Sequence, residues 1–148
     1  MRNKSFLTLV CFLICAAVLT SIVTVRAVSN AQAGQTSDPR EAREELYRFN
    51  NLGAAYLEQY KPEEAAKEFR QAVAKDPNFA IGHINLAIAY HFNQNIAKAI
   101  EEARAAVKLM PQSPHAQYML GSALKSDKQY DAAIEAFNKV LAIDPKDA

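Results

Sequence analysis

The chain has no tryptophan and, among 148 residues, only two cysteines, three histidines and four glycines. Each scarcity closes off a class of function. Cys11 and Cys15 both lie inside an N-terminal apolar run and read as apolar side chains there. Val10 and Ile14, just before them, are too large for a lipid-acceptor site. If that run is removed, the rest of the protein has no thiol and is indifferent to the redox state around it. Gly34 stands in a linker, Gly53 and Gly121 recur at equivalent places, and Gly82 opens a helix, which leaves none for a phosphate-cradling loop. His83, His91 and His115 do not pair at a spacing of three or four, and no Cys or His-Glu-x-x-His motif accompanies them. Neither a metal site nor another cofactor is therefore expected. No serine-nucleophile motif and no Cys–His pair is visible. The acidic pairs Glu63-Glu64 and Glu101-Glu102 sit near Lys or Arg at helical spacing, as on solvated helix faces. The chain reads as a non-enzyme.

Charge of one sign is also scarce. Residues 1–33 hold Arg2, Lys4 and Arg26 and no acid, while residues 34–148 hold 14 basic and 16 acidic residues, a formal charge of −2. Such a balance offers no field for nucleic acid.

What is present begins with a basic start, Met1 to Ser5, followed by an uncharged run from Phe6 to Val25. As a helix, a run of that length would reach about 30 Å, the thickness of a hydrocarbon core. Ala31-Gln32-Ala33 has the small-x-small form of a signal-peptidase site, with Val25-Arg26-Ala27 as a weaker second. A cleaved signal peptide explains these features together, and an uncleaved anchor through residues 6–25 explains the length of the run. Both place residues 34–148 outside the cytoplasm, because Arg2 and Lys4 favour keeping the start inside. The expected location is periplasmic or secreted, or anchored in the inner or plasma membrane with the remainder outside. The domain plan is 1–33 signal or anchor, 34–38 linker, and 39–148 folded domain.

Inside that domain the sequence repeats itself. Residues 46–79, 80–113 and 114–147 align without a gap at a period of 34. Leu52, Leu86 and Leu120 coincide, as do Gly53, Ala87 and Gly121, then Ala65, Ala99 and Ala133, and finally Pro77, Pro111 and Pro145. A fixed period of this length signals stacked units, none of which buries its apolar face alone. Each unit reads as two helices. Asp38-Pro39-Arg40-Glu41 is a helix start leading to about Glu58, and a second helix runs from near Pro62 to before Asp76. The same beat predicts helices near 80–93, 96–109, 114–127 and 130–143. The six prolines all fall at predicted helix edges.

On these residues the chain resembles the tetratricopeptide repeat (TPR) family. Counting slots from the first residue of each repeat, the family pattern asks for a large residue at slot 4 and Leu at 7. It asks for a small residue at 8, an aromatic at 11, Ala at 20, an aromatic at 24, Ala at 27 and Pro at 32. The first repeat fills every slot, with Phe49, Leu52, Gly53, Tyr56, Ala65, Phe69, Ala72 and Pro77. The middle repeat departs at His83 and Ala103, and the last at Gln117, Leu124 and Val140. The resemblance implies an all-α fold, an α-solenoid forming a right-handed superhelix of three helix-turn-helix units, to which the apolar run 6–25 adds an N-terminal hydrophobic helix. It implies that Ala65, Ala99 and Ala133 sit where the two helices of a repeat cross, and that His83 is a packed or half-exposed core residue.

The resemblance also implies a function: a protein-interaction scaffold that holds a peptide or helix in a concave groove lined by the first helix of each repeat. The implied groove positions are Tyr47, Asn50, Ala54, Leu57 and Glu58, then Ile81, Ile84, Ile88, His91 and Phe92, then His115, Tyr118, Ser122, Lys125 and Ser126. The isoleucines and Phe92 suit an apolar segment, although the same residues could pack on neighbouring helices instead. One subgroup of the family clamps acidic carboxyl tails with Lys, Asn, Asn, Lys and Arg. The equivalents here are Asn50, Ala54, Asn85, His115 and Met119, of which only Asn85 matches. The last repeat lacks the extra polar helix that commonly covers such stacks. Val140 and its neighbours are thus expected to be covered by another protein or by self-association, unless the exposed end is tolerated or the chain is a fragment of a longer exported protein whose repeats serve a further domain.

Overall fold

A computed structural model describes residues 38–143; the expected signal or anchor, most of the linker and Pro145 lie outside the described residues. The helical unit begins at Pro39. It consists of α1 (Pro39–Glu58), α2 (Pro62–Lys75), α3 (Ala80–Phe92), α4 (Ile96–Leu109), α5 (Pro114–Ser126) and α6 (Tyr130–Ile143). Pro39, Pro62 and Pro114 open their helices, where the fixed φ is already helical and the missing N–H has no intrahelical use. The boundaries fall within about a residue of those the repeat register predicts.

Within each pair the turn is the same. Tyr60, Gln94 and Lys128, one period apart, adopt positive φ of 56°, 58° and 62°. The next N–H then reaches back five residues: Lys61 to the Tyr56 carbonyl at 2.9 Å, Asn95 to Tyr90 at 2.8 Å, Gln129 to Leu124 at 3.0 Å. A left-handed residue satisfies carbonyls that a helix end would orphan. None of the three is glycine, so each carries about 1 kcal/mol or more of local strain that helix pairing must offset.

Helices of a pair approach closely because the facing slots are small. Ala65, Ala99 and Ala133 are buried, as expected of a crossing point. A Cβ built on Gly53 would stand 2.6 Å from the Phe69 ring, and one on Gly121 would stand 2.7 Å from Phe137. The middle repeat makes the opposite exchange, with Ala87 in the small slot and Ala103 in the aromatic slot, both buried. What looks in the sequence like a missing aromatic is one half of a volume swap between two facing slots.

Pairs stack through other slots. A Cβ on Gly82 would meet Val73 Cγ2 at 3.2 Å, so α2 presses against the start of α3. Leu52, with no preceding pair among the described residues, is 39% exposed, whereas the equivalent Leu86 is 1% exposed. Polar hooks hold the turns between pairs. His83 Nε2 lies 3.0 Å from the Pro77 carbonyl and Nδ1 lies 2.7 Å from Glu102 Oε2. A carbonyl can only accept, so Nε2 is the donor to Pro77. In the next repeat Gln117 donates from Nε2 to the Pro111 carbonyl at 3.2 Å. The second and third occupants of slot 4 are thus turn fasteners rather than bulky packing residues, and His83 is buried in that role.

Candidate concave binding site

The first helices of the three pairs, α1, α3 and α5, touch one another in sequence and form one wall. Two polar rungs tie this wall together. Asn85 Nδ2 donates to Asn50 Oδ1 at 2.8 Å, linking α3 to α1. His91 Nε2 lies 2.9 Å from Ser126 Oγ, linking α3 to α5. The Ser126 hydroxyl donates to the Ser122 carbonyl at 3.1 Å, so its oxygen accepts from His91 and fixes the proton on Nε2. Asn50, Asn85 and His91 are therefore engaged with the protein itself.

Between α3 and α5 the wall opens into a cavity of about 400 Å³, lined by Ile84, Ile88, Pro114, His115, Tyr118, Met119 and Val140. Its lining is apolar apart from the imidazole and the phenol. Four of the implied groove residues meet here: Ile84, Ile88, His115 and Tyr118. The others do not. Phe92, 62% exposed, belongs to a separate hollow of about 200 Å³ with Leu57, Tyr60 and Pro62. Tyr47 leans edge-on against Phe79, with ring centroids 5.8 Å apart, on the α1 side. Ile81 stands exposed one turn before Ile84.

Three lining residues escaped the sequence reading. Met119 follows Tyr118 and lies one turn on from His115, which is a signal that helical spacing could have supplied. Pro114 was read only as a helix start. Val140 comes from α6, a second helix, whereas the family groove slots lie on first helices. Of Val140 and its neighbours, expected to need cover, Leu141 is 40% exposed. Val140 is buried within the chain, at the edge of this cavity.

Among the described residues no cluster of His, Cys, Asp and Glu could hold a metal ion. No helix among them is long and apolar enough to cross a membrane. A polar recess of about 560 Å³ lies elsewhere, lined by Glu63, Glu64, Lys67, Arg70, Asn93 and Lys98 among others, with charges of both signs.

Comparison with known proteins places this geometry. The family model for the tetratricopeptide repeat matches residues 50–114 and 84–148. A small glutamine-rich tetratricopeptide repeat-containing protein of Dictyostelium discoideum is 33% identical over 98 residues, 66% of this chain and 29% of that protein. Hsp70-Hsp90 organizing protein 3 of Arabidopsis thaliana is 27% identical over 109 residues, 74% of this chain and 19% of that protein. The chain thus spans less than a third of the length of these curated relatives. Among solved structures, the first TPR of Spaghetti (RPAP3), bound to the HSP90 peptide SRMEEVD, superposes with a TM-score of 0.67 at 24% identity, covering 69% of this chain and 81% of that one. With the repeat register, the six paired helices and the family match in agreement, this chain belongs to the tetratricopeptide repeat family.

Proposed function

We propose that the chain is a non-catalytic scaffold, held or released outside the cytoplasm, that binds an apolar helix or extended segment of a partner protein in its concave face. The observation that carries this is the cavity bounded by Ile84, Ile88, Tyr118, Met119 and Val140. It is lined by apolar side chains on a wall that Asn50–Asn85 and His91–Ser126 already hold in shape. A preformed apolar recess favours a segment that brings large aliphatic or aromatic side chains. The extracytoplasmic location rests on the basic start, the apolar run 6–25 and Ala31-Gln32-Ala33.

The solved neighbour that carries the HSP90 peptide suggests a second occupant, an acidic carboxyl tail. Against it, the clamp positions here hold Asn50, Ala54, Asn85, His115 and Met119, with no Lys or Arg. The one matching residue, Asn85, is bonded to Asn50. A carboxylate there would meet no fixed cation to offset its desolvation.

The test is the full chain with Ile84→Ser and Ile88→Ser, used to recover partners from an envelope extract beside the parent. Loss of a specific partner with helical content unchanged is expected. Unchanged recovery would remove the groove from consideration. Micromolar binding of an acidic carboxyl-terminal peptide by the parent would favour the tail instead.

A further inference from the structure

The concave cavity offers too few hydrogen bonds for one of the two occupants its shape admits. Of its seven lining side chains only those of His115 and Tyr118 carry nitrogen or oxygen, and both stand on α5, one turn apart. The start of α5, where a helix has N–H groups to spare, adds little. Pro114 has no N–H, Ala116 gives its own to Ser113 Oγ at 3.3 Å, and Gln117 gives its own to the Ser113 carbonyl at 3.1 Å. An extended segment crossing this recess brings an N–H and a C=O with every residue and finds few partners for them. A helix has already bonded its own backbone and presents only side chains to the wall.

Along α3 the apolar surface continues past the cavity. Ile84, Ile88 and Phe92 recur at intervals of four, on one face of the helix. Phe92 reaches the smaller hollow, where Leu57, Tyr60 and Pro62 meet it one turn beyond Ile88. Ile84 and Phe92 are about 12 Å apart along the axis of α3, close to the rise of two turns on any helix laid over it. Charge is distributed with equal asymmetry. α3 and α5 hold no Asp, Glu or Arg, and Lys125 is their one lysine. Lys125 is exposed and in no ion pair among the described residues. It precedes Ser126, which meets His91 across the wall at 2.9 Å, so it flanks the seam between α3 and α5. Glu58, the acid among the implied groove positions, lies on α1 instead. An acidic flank turned toward α5 therefore finds a cation and meets no carboxylate on either helix beneath it.

We propose that the occupant of the concave face is an amphipathic helix of a partner protein. Its large apolar side chains stand two turns apart over the two hollows, and acidic residues line its flank toward α5. This rests on the reading of the concave face as a binding groove and narrows it, because it excludes an extended peptide and a basic helix.

The test uses the full chain in phosphatidylcholine nanodiscs, with empty nanodiscs as the blank, and three fluorescent synthetic peptides. The first is a hydrocarbon-stapled helix with leucines along one face over two turns and glutamates down one flank. The second keeps those side chains but is unstapled, with a central pair of prolines that holds it extended. The third keeps the staple and replaces the glutamates by lysines. Anisotropy titrations should show micromolar binding of the first and binding at least about tenfold weaker for the other two. Ile88→Ser should weaken the first about tenfold and Lys125→Glu about threefold, whereas Lys108→Glu, on α4, should leave it unchanged. Equal or tighter binding of the extended or the lysine peptide overturns the proposal and leaves the groove standing. So does an unchanged affinity in Lys125→Glu. Failure of all three peptides to bind overturns it as well, and recovery from the envelope extract with Ile84→Ser and Ile88→Ser then decides separately whether the groove falls with it.

Discussion

Exchanging the middle repeat's alanine pair for the glycine–phenylalanine pair of its neighbours tests whether slots 8 and 24 share one volume. Consider first Gly53→Ala. The added methyl would stand 2.6, 2.7 and 2.9 Å from three ring atoms of Phe69. Ordinary carbon contacts begin near 3.5 Å, so the ring must move by roughly 1 Å. Phe69 is fully buried, packed in one cluster with Ala65, Ala66 and Leu86, and has nowhere open to go. Overpacking of this kind costs about 1–3 kcal/mol, against a gain of about 0.5–1 kcal/mol from removing glycine from a helix interior. The clash wins, and Gly53→Ala should destabilise by about 1–2 kcal/mol. In the middle repeat Ala103→Phe drives a ring at Ala87 and should cost about 1–3 kcal/mol. Ala87→Gly alone should cost about 1 kcal/mol through helix entropy and a lost methyl. Together they should recover at least about 1 kcal/mol relative to the sum of the singles. Urea unfolding of all four proteins at a common m-value measures this directly. Additivity within about 0.5 kcal/mol would show that the two slots do not face each other in the way described.

The other predictions concern single contacts. Ala99→Leu, at a buried helix crossing, should cost about 1–3 kcal/mol, read as a lower midpoint in thermal melts; a parent-like melt would move Ala99 away from the crossing. Gln94→Gly should stabilise by up to about 1 kcal/mol in urea, because glycine accepts the left-handed backbone at φ 58° without side-chain strain. His83→Ala should cost about 1–3 kcal/mol by freeing the Pro77 carbonyl and Glu102. His83→Gln should cost less, since Gln117 makes the same carbonyl contact one repeat later. The hydrogen bond from Lys75 holds the Glu45 carboxyl below its usual range, burial opposes this, and the charges of Lys75 and Arg48 add to the lowering. The folded-state value is depressed, so this contribution is present above the usual carboxylate range and is lost as pH falls through the lowered value. The difference in melting temperature between parent and Glu45→Gln should therefore shrink as the pH falls from neutral through and below the usual carboxylate range.

Helix number, helix edges and the small crossing residues were legible in the sequence because each is set by a strong local constraint. A proline cannot sit inside a helix without losing a hydrogen bond, so Pro39, Pro62, Pro77, Pro111 and Pro114 all fall at or between the edges of the described helices. The three left-handed turns were not legible. Tyr60, Gln94 and Lys128 have no chemical preference for positive φ, and the conformation is imposed by the pairing of the helices on either side. The departures at slots 4 and 24 were visible as departures, but their reasons lie in a second residue some distance along the chain. His83 makes sense only with Pro77 and Glu102, and Ala103 only with Ala87. A pattern that scores slots one at a time cannot see such pairs.

The same limit governed the binding face. Ile84, Ile88, His115 and Tyr118 line one cavity, and the family slots group them because first helices repeat a face every 34 residues. The slots could not show that Asn85 donates to the Asn50 amide oxygen, or that Val140 of a second helix lines the cavity. Both facts bear on what can bind. The first engages the one residue that matches the acidic-tail clamp, and the second adds an apolar side chain to the recess. Contacts between repeats therefore help to set the shape of the proposed groove, and changing a rung such as His91–Ser126 should alter that shape without touching the cavity lining.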